Sequence, residues 1–301
     1  MTLNQLRTFL AVAEHGSVRA AAQDLVVTQA AVSAALAALQ KSLGVDLVQP
    51  DGRGLRLTGA GVAYAGYLRR ILGLLDEAGL AARAAADPEH AELRVAAVTT
   101  AAEQILPGLL SGFRAQHPQM GVRLEAGNRE RARALLDRHQ VDLVLGGRPE
   151  PGWDVRVLAV RGHQLVVVAA PALAASAPAG PAGALLPWLA SQAWLLREPG
   201  SGTRAATEGL LTELDIAPRT LIVGSNGAIR ESARVGLGVT LVSRDAVAAE
   251  LAGGQLAELA VPGTPLHRDW YLVAHPGSLP PAAGRLLDHV LTDGGFRRPD
   301  S

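Results

Sequence analysis

Apolar residues recur at helical spacing in three short segments at the start of the chain. The first segment begins at Leu3 and ends near Gly16. The second follows Ser17, which is placed to cap it, and the third covers residues 29–41 after a polar break at Thr28. The spacing predicts amphipathic helices, and two short helices joined by a tight turn are typical of a helix-turn-helix.

Two further elements follow the third helix. Asp51-Gly52-Arg53-Gly54 separates two short apolar runs, a composition that predicts a hairpin turn. Thr58 resembles a helix N-cap, and a helical pattern runs from it to about residue 86. Its apolar stripe has the spacing i, i+3, i+4, i+7, which suits pairing with a second copy of the chain. The predicted dimerisation residues are Leu68, Ile71, Leu72 and Leu75.

Beyond Asp87-Pro88, short valine-rich runs alternate with helical patterns. The predicted strands are residues 93–98, 121–125, 141–145, 155–160, 165–169, 194–196, 221–223, 239–242 and 270–274. The predicted helices are residues 104–114, 129–138, 204–214, 228–235, 245–251 and 281–291. This alternation favours an α/β fold with a parallel sheet that is covered on both faces. The pattern alone allows either one doubly wound sheet or two separate lobes.

Composition narrows the class of protein. The 301 residues are enough for two or three domains, and the formal net charge of zero does not itself indicate a nucleic-acid partner. The absence of cysteine excludes disulfides, thiol chemistry and cysteine-bound zinc. The N-terminus lacks the pattern of a signal peptide, and prolines interrupt the longest uncharged stretch, residues 165–196. We therefore expect a cytoplasmic protein that has no membrane span.

A specific set of positions in the first sixty residues resembles the signature of the LysR-type transcriptional regulators. Its members keep the family's order and spacing: Gly16-Ser17, Ala21-Ala22, Leu25, Gln29, Ser33, Leu39, Leu43-Gly44, Leu47, Arg53, Leu57-Thr58 and Ala60-Gly61. The resemblance implies a ligand-responsive, sequence-specific regulator with an N-terminal winged helix-turn-helix. It also implies a promoter site with dyad symmetry and self-association as a dimer or tetramer. In a winged helix-turn-helix the second helix enters the major groove and the hairpin lies beside the DNA backbone.

The chain departs from this signature at positions that matter for DNA. Gln40 stands where the family usually has glutamate, and Val48-Gln49-Pro50 replaces an aromatic and a basic residue. Ala34-Ala35 follows the serine of the recognition helix, where longer polar side chains are common. Residues 1–62 carry a net charge of only +1, so we expect each module to bind weakly and assembly to compensate. The predicted DNA-binding residues are Ser17, Arg19, Thr28, Gln29, Ala30, Ser33, Ala34, Arg53 and Arg56.

The resemblance also implies the domain organisation. The DNA-binding domain would be residues 1–58, a linker and dimerisation helix residues 59–88, and an effector-binding domain residues 89–301. The effector-binding domain would have the two-lobed fold of type II periplasmic binding proteins, with lobe I at residues 91–161 plus 266–301 and lobe II at residues 162–265.

Ligands of such folds bind between the lobes, outside the carboxyl ends of the strands. The predicted effector-binding residues are Thr99, Thr100, Asn128, Gly147, Ser201, Gly202, Thr203, Ser225 and Asn226. Hydroxyls and backbone N–H groups at helix starts suit a carboxylate or phosphate, although helix capping alone explains each position taken singly. We expect a small anionic effector and neither a cofactor nor a metal.

No enzyme motif is present in the sequence. It has no His-Glu-x-x-His, no Gly-x-Ser-x-Gly and no phosphate-binding Gly-Lys-Ser/Thr loop. The eight histidines are scattered along the chain. The competing hypothesis is a small-molecule-binding protein or enzyme with the fold of a periplasmic binding protein, whose N-terminus does not bind DNA. The missing export signal and the missing catalytic motif argue against it.

Overall fold

The computed structural model describes residues 1–52, 54–178 and 182–299. The chain divides into two compact units, Met1–Gly79 and Leu80–Ser301, each with its own hydrophobic core. Among the described residues no single helix has both the length and the apolar character needed to cross a membrane. Two consecutive helices, Val18–Asp24 and Gln29–Leu43, reach the required length and apolar composition only when they are taken together, and they are bent by 109° at the break between them.

The N-terminal unit is a three-helix core with a hairpin and the start of a long helix. Its elements are α1 (Leu3–His15), α2 (Val18–Asp24), α3 (Gln29–Leu43), β1 (Val48–Asp51), β2 (Gly54–Leu57) and α4 (Gly59–Ala86). Phe9, Leu39 and Leu47 are fully buried at its centre. The antiparallel hairpin pairs Val48 with Leu57 and forms the predicted wing.

The long helix α4 belongs partly to this first unit. Ala65 and Leu68 are buried in the core that α1 and α3 form. A Cβ at Gly61 would collide with the backbone carbonyl of Leu47, so a glycine here allows α4 to approach the loop before β1 closely. The boundary between the units falls after Gly79, inside α4 rather than at its ends.

The second unit is built on a mixed sheet. Its strands are β3 (Glu92–Val98), β4 (Gly121–Gly127), β5 (Leu143–Gly146), β6 (Arg156–Ala169), β7 (Trp194–Leu196), β8 (Thr220–Ile222), β9 (Thr240–Ser243), β10 (Ala257–Leu259) and β11 (Leu266–Ala274). The sheet order is β10-β6-β11-β5-β3-β4, with β9 also on β6, and β7 and β8 pair separately. Strands β3, β4 and β5 are parallel, whereas β6 and β11 are antiparallel to each other and run through both lobes.

Helices cover both faces of each lobe. They are α5 (Thr99–Gln104), α6 (Leu106–Gln116), α7 (Arg129–Asp137), α8 (Pro171–Ala175), α9 (Ala182–Ser191), α10 (Gly202–Glu213), α11 (Asn226–Arg234), α12 (Ala248–Ala252) and α13 (Pro281–Thr292), with a 3₁₀ turn at Arg244–Val247. Two apolar clusters fill the faces of lobe I and two fill those of lobe II.

The structure corrects several predicted elements. The helix predicted over residues 104–114 is α6, which begins after a break at Ile105 with Pro107 in its first turn, and the helix α5 before it was not predicted. Two predicted strands, residues 155–160 and 165–169, are the single strand β6. The polar residues 161–164 stay in the strand because β11 pairs with all of them, and β11 itself begins at Leu266 rather than residue 270. The strand β10 and the helices α8 and α9 were not predicted.

Candidate functional site

Side-chain caps fix the two helices of the helix-turn-helix. The Ser17 hydroxyl accepts a hydrogen bond from the backbone N–H of Ala20 at 3.4 Å, and Thr28 accepts one from Ala31 at 3.2 Å. Both residues therefore satisfy the free N–H groups at helix starts. Ser17 is half-buried and its hydroxyl already caps α2, so little of its side chain is available for the predicted contact with DNA.

The exposed face of α3 is small and uncharged near its N-terminus. Val32, Leu36 and Leu39 turn into the core. The predicted contacts that this arrangement leaves exposed on α3 and its cap are Thr28, Gln29, Ala30, Ser33 and Ala34.

Two other predicted DNA contacts are arginines outside α3. Arg19 on α2 is exposed. Arg56 is exposed on the hairpin and lies against the side-chain amide of Gln49, its partner in the register of β1 and β2. Arg53, predicted at the tip of the wing, lies outside the described residues.

The side-chain carbonyl of Gln40 holds the start of the hairpin. Its side-chain oxygen accepts hydrogen bonds from the backbone N–H groups of Leu47 at 2.8 Å and Val48 at 3.2 Å. This contact fixes the start of the hairpin against α3. Glutamine at this position therefore supports the hairpin as the carboxylate of a glutamate would.

A cavity of about 310 Å³ lies in the second unit, between the two lobes. Lobe I contributes the ends of β3, β4 and β5, lobe II contributes the loop before α10, and the crossing strands β6 and β11 form one wall. The residues that line it from strand ends and helix starts are Thr99, Thr100, Asn128, Arg129, Gly147, Arg148, Ser201, Gly202 and Thr203.

Cations outnumber anions around this cavity. The lining arginines are Arg129, Arg148, Arg197 and Arg268, and the lining acids are Glu198 and Asp269. Arg197 is almost fully buried and holds Glu198 through two hydrogen bonds, of 2.7 and 2.8 Å. That pair is neutral, and Arg129 is paired with Glu150 at 3.5 Å. Arg148 and Arg268 against Asp269 then leave this space with an excess of positive charge.

Arg129 lies where the two lobes approach each other. A Cβ on Gly147, after β5, would stand 3.4 Å from its guanidinium, and one on Gly202, at the start of α10, would stand 3.6 Å from it. Ser201 caps α10, accepting from the N–H of Arg204 at 3.5 Å. The positive end of a twelve-residue helix and a guanidinium therefore share one end of the cavity.

The wall of the cavity contains a stacked pair of rings. His163 on β6 lies 4.1 Å from Trp270 on β11, centroid to centroid, with the planes 15° apart. Burial lowers the pKa of His163 to about 4, so this ring is neutral near pH 7. His163 Nδ1 and Trp270 Nε1 are buried and have no hydrogen-bond partner among the described residues.

Comparison with known proteins identifies both units. Residues 3–62 match the family described as bacterial regulatory helix-turn-helix protein, lysR family, and residues 86–294 match the LysR substrate binding domain. The chain belongs to the LysR family. It is a DNA-binding transcription regulator and not an enzyme.

Curated and solved relatives extend over most of this LysR regulator. The RuBisCO operon transcriptional regulator of Allochromatium vinosum is 36% identical over 97% of this chain and 96% of its own. The crystal structure of full-length CbnR complexed with its target DNA is 25% identical, with a TM-score of 0.68, over 96% of this chain and 99% of that one. The Synechocystis CcmR regulatory domain in complex with 2-PG is 28% identical, with a TM-score of 0.60, over 67% of this chain and 97% of that one.

The cavity between the lobes brings together seven of the nine predicted effector residues. They are Thr99, Thr100, Asn128, Gly147, Ser201, Gly202 and Thr203. Ser225 does not line it: it is exposed and caps α11, accepting from the N–H of Ala228 at 3.1 Å. Asn226 does not line it either, because its side chain is buried in contacts between the lobes.

Several cavity residues were not predicted. Arg129 and Arg148 follow predicted strand ends directly, so the rule that selected Asn128 and Gly147 could have included them. His163, Arg268 and Trp270 lie inside paired strands, where no loop or helix start marks them in the sequence.

The predicted dimerisation stripe on α4 divides into two faces. Leu68 is 1% exposed and Leu72 packs on the same core, so their own chain covers them. Leu68 is therefore corrected from a dimer contact to a core residue. Ile71 and Leu75 are 47% and 51% exposed and lie on a surface that also carries Tyr67 and Leu74.

Proposed function

We propose that this LysR-type regulator senses a small anion, a carboxylate or phosphate ester, in the cavity between its two effector lobes. The observation that carries the proposal is the excess of arginine around the cavity. Of these side chains, Arg197 is paired with Glu198 and Arg129 with the exposed Glu150, whereas Arg268 makes no side-chain hydrogen bond within the described residues. An anion would supply the missing countercharge.

Polar groups of both lobes support the same ligand chemistry. Thr99 and Thr100 come from the start of α5, and Ser201 and Thr203 from the start of α10. Hydroxyls and guanidinium groups are strong donors to carboxylate and phosphate oxygens.

The experiment is a calorimetric titration of the full-length protein with 2-PG, glycolate, inorganic phosphate and neutral glycerol. We expect the anions to bind and glycerol not to bind. Arg129→Gln should weaken the best anion by about tenfold or more, because it removes a charge-assisted contact. Arg123→Gln is the matched control, since Arg123 is exposed on β4 and does not line the cavity. Equal affinity in both variants would contradict the proposed site.

We further propose that the regulator acts in the cytoplasm as a dimer or tetramer and controls a carbon-fixation operon. The name and 36% identity of the Allochromatium vinosum regulator support this target. The exposed residues of α4 support pairing between chains, which would place two winged helices on a site with dyad symmetry. Effector binding would alter transcription through its different affinity for two arrangements of the lobes.

This part is tested by capturing fragments of the source genome on the purified protein and sequencing them. Fragments upstream of a RuBisCO-type operon, retarded in a gel with and without the best anion, are the expected result. Capture of other promoters alone would overturn the assignment of the target. Failure of the folded, assembled protein to retard any captured fragment at low salt would contradict DNA binding by this chain.

A further inference from the structure

The side chain of Asn226 joins the two lobes beside the effector cavity. Asn226 is the first residue of α11 in lobe II and is buried. Its amide nitrogen donates to the Thr100 hydroxyl at 3.1 Å and to a Glu103 carboxylate oxygen at 3.0 Å, both on α5 of lobe I. Its oxygen accepts a hydrogen bond from the Arg197 guanidinium of its own lobe. All three contacts are therefore made by one amide.

The chemistry of the partners fixes the orientation of this amide. Arg197 can only donate and an ionised Glu103 can only accept, so the oxygen must face the arginine and the nitrogen the carboxylate. Both hydrogens of the nitrogen are used. Neither a carboxylate nor a hydroxyl could serve all three partners at once, because the site needs one acceptor and two donors.

Two of the three partners also belong to the cavity. Thr100 and Arg197 line it, whereas Glu103 lies at the exposed rim of the contact between the lobes. A ligand that touches Thr100 from lobe I and Ser201 or Thr203 from lobe II needs the lobes at this spacing. The Asn226 contact and such a ligand therefore stabilise the same arrangement.

We propose that Asn226 is a latch between the lobes that holds the effector cavity in its binding-competent arrangement and so sets effector affinity. It is a positioning residue and not an effector ligand. The proposal rests on the proposed effector site for its link to affinity, but its effect on lobe spacing is independent of any effector. When the competent arrangement is less populated, the apparent affinity falls by the same fraction.

The test compares three variants of the full-length chain. Asn226→Asp keeps the size of the side chain and the acceptor for Arg197, but places a carboxylate against Glu103. Asn226→Asp combined with Glu103→Gln restores a donor to that contact from the other side. Glu103→Gln alone is the matched control, because the glutamine oxygen can still accept from Asn226.

Lobe spacing is measured directly, without effector. Since the chain contains no cysteine, Ala115→Cys on α6 and Glu213→Cys on α10 give unique spin-label sites, both exposed. Labelled chains are diluted into unlabelled protein, so that electron–electron distances within one chain dominate. Asn226→Asp should shift or broaden this distance distribution, whereas the double variant and Glu103→Gln should match the parent.

Effector affinity and thermal stability complete the test. Asn226→Asp should raise the Kd of the best anion by about tenfold, with the double variant within about twofold of the parent. Glu103→Ala changes only an exposed side chain and should raise the Kd of the best anion by about threefold. This variant keeps the test decisive if Asn226→Asp does not fold. An unchanged distance distribution in the folded variants overturns the latch, even where the melting temperature falls. If no anion binds the parent, the proposed effector site fails, and the distance measurement still decides the latch.

Discussion

The two units of this regulator place their positive charges differently. In the DNA-binding unit Arg19 and Arg56 are exposed, and residues 1–62 carry a net charge of only +1. In the effector unit arginines line a cavity between the lobes, and Arg94 and Arg197 are almost fully buried against carboxylates. A charge on an open surface is screened by salt within a short distance, whereas a charge in a cavity is screened much less.

This difference indicates that effector binding and DNA binding depend on different numbers of chains. Under the proposed function, the effector unit would hold a small anion within one chain, since its donors and cations already surround one space. The recognition helix offers Gln29, Ser33 and Ala34 and no cation at its exposed N-terminal end. Phosphate contacts supply much of the affinity of a DNA-binding protein. DNA binding by this chain should therefore depend on joining several such units.

The largest expected effect concerns a buried arginine of lobe I. Arg94 and Asp142 are 5% and 8% exposed. The Arg94 guanidinium donates a hydrogen bond to the Asp142 carboxylate at 2.5 Å, and the Arg94 backbone N–H donates another to the same carboxylate at 3.0 Å. Asp142→Ala would leave a buried guanidinium without its countercharge. We expect a loss of about 3–5 kcal/mol in the free energy of unfolding of the effector unit. Denaturant unfolding followed by tryptophan fluorescence measures it, since all four tryptophans lie in that unit.

Two variants separate burial from charge pairing. Arg234→Ala removes an exposed pair with Glu231 in the same unit and should cost less than about 1 kcal/mol. Replacing both buried partners, as in Arg94→Met with Asp142→Leu, should recover part of the stability, because no unpaired charge remains although the Arg94 backbone N–H loses its acceptor. A loss below about 1 kcal/mol for Asp142→Ala would contradict the contrast between the units.

The second effect follows from the neutral histidine of the cavity wall. Burial lowers the pKa of His163 to about 4, below the value of about 6.5 in an unfolded chain. Between these values the unfolded state binds a proton that the folded state does not. Stability from this residue is therefore complete above about pH 6.5 and is lost as the pH falls toward 4.

The variant His163→Phe keeps a ring against Trp270 but cannot titrate. We expect the melting temperature of the parent to fall more between pH 7 and pH 4.5 than that of the variant. Other acid-sensitive groups contribute equally to both proteins, so the difference reports His163. Parallel pH profiles would mean that the cavity wall accepts a proton readily and that arginines are not its sole cations.

Local chemistry explains what the sequence predicted well. Ser17 and Thr28 cap helices through bonds that span three residues, and Gly16 ends α1 with a φ of 61°. Such features depend on neighbours in the chain and are visible as spacing. The seven cavity residues that were predicted follow from a similar rule, because strand ends and helix starts are themselves local patterns.

Long-range pairing explains what the sequence did not predict. Residues 161–164 appeared as a break between strands, yet β11, over a hundred residues later, keeps them extended. His163 and Arg268 reach the cavity only through that pairing. Asn226 looked like a helix-capping or ligand residue, and its bonds to Thr100 and Glu103 cross more than 120 positions of sequence. No periodicity or motif encodes such a contact.

The third effect concerns backbone strain, which the two units also distribute differently. Among the described residues of the effector unit, the non-glycine residues at positive φ are His139 and Asp215, types that tolerate this region. The turn after α2, in contrast, has Val26 at a φ of 55°. Backbone bonds from Val26 to Gln23 and from Val27 to Ala22 close the helix end around it. Because Val26 is 89% exposed, its side chain gains little from packing in return.

Val26→Asn should therefore stabilise the DNA-binding unit by about 1 kcal/mol, since asparagine adopts the left-handed conformation more readily. Val27→Asn is the control, because Val27 is also exposed but has no positive φ. Amide hydrogen exchange of α1–α3 in the full-length protein measures the change. Equal protection in both variants would show that the turn carries no strain.

The smallest effect tests the comparison at the recognition helix itself. Ala34 is exposed in the N-terminal half of α3, where a recognition helix approaches DNA. Ala34→Arg should tighten binding to a captured promoter fragment by about threefold at low salt and steepen the dependence of log K on log salt by about one unit per chain. Ser42→Arg adds the same charge to the exposed C-terminal end of α3, two turns away, and should change both quantities less. If the two substitutions act equally, the added charge works only through the general field of the protein. If neither acts, the exposed end of α3 does not lie at the DNA, and its lack of cations does not explain weak binding by a single module.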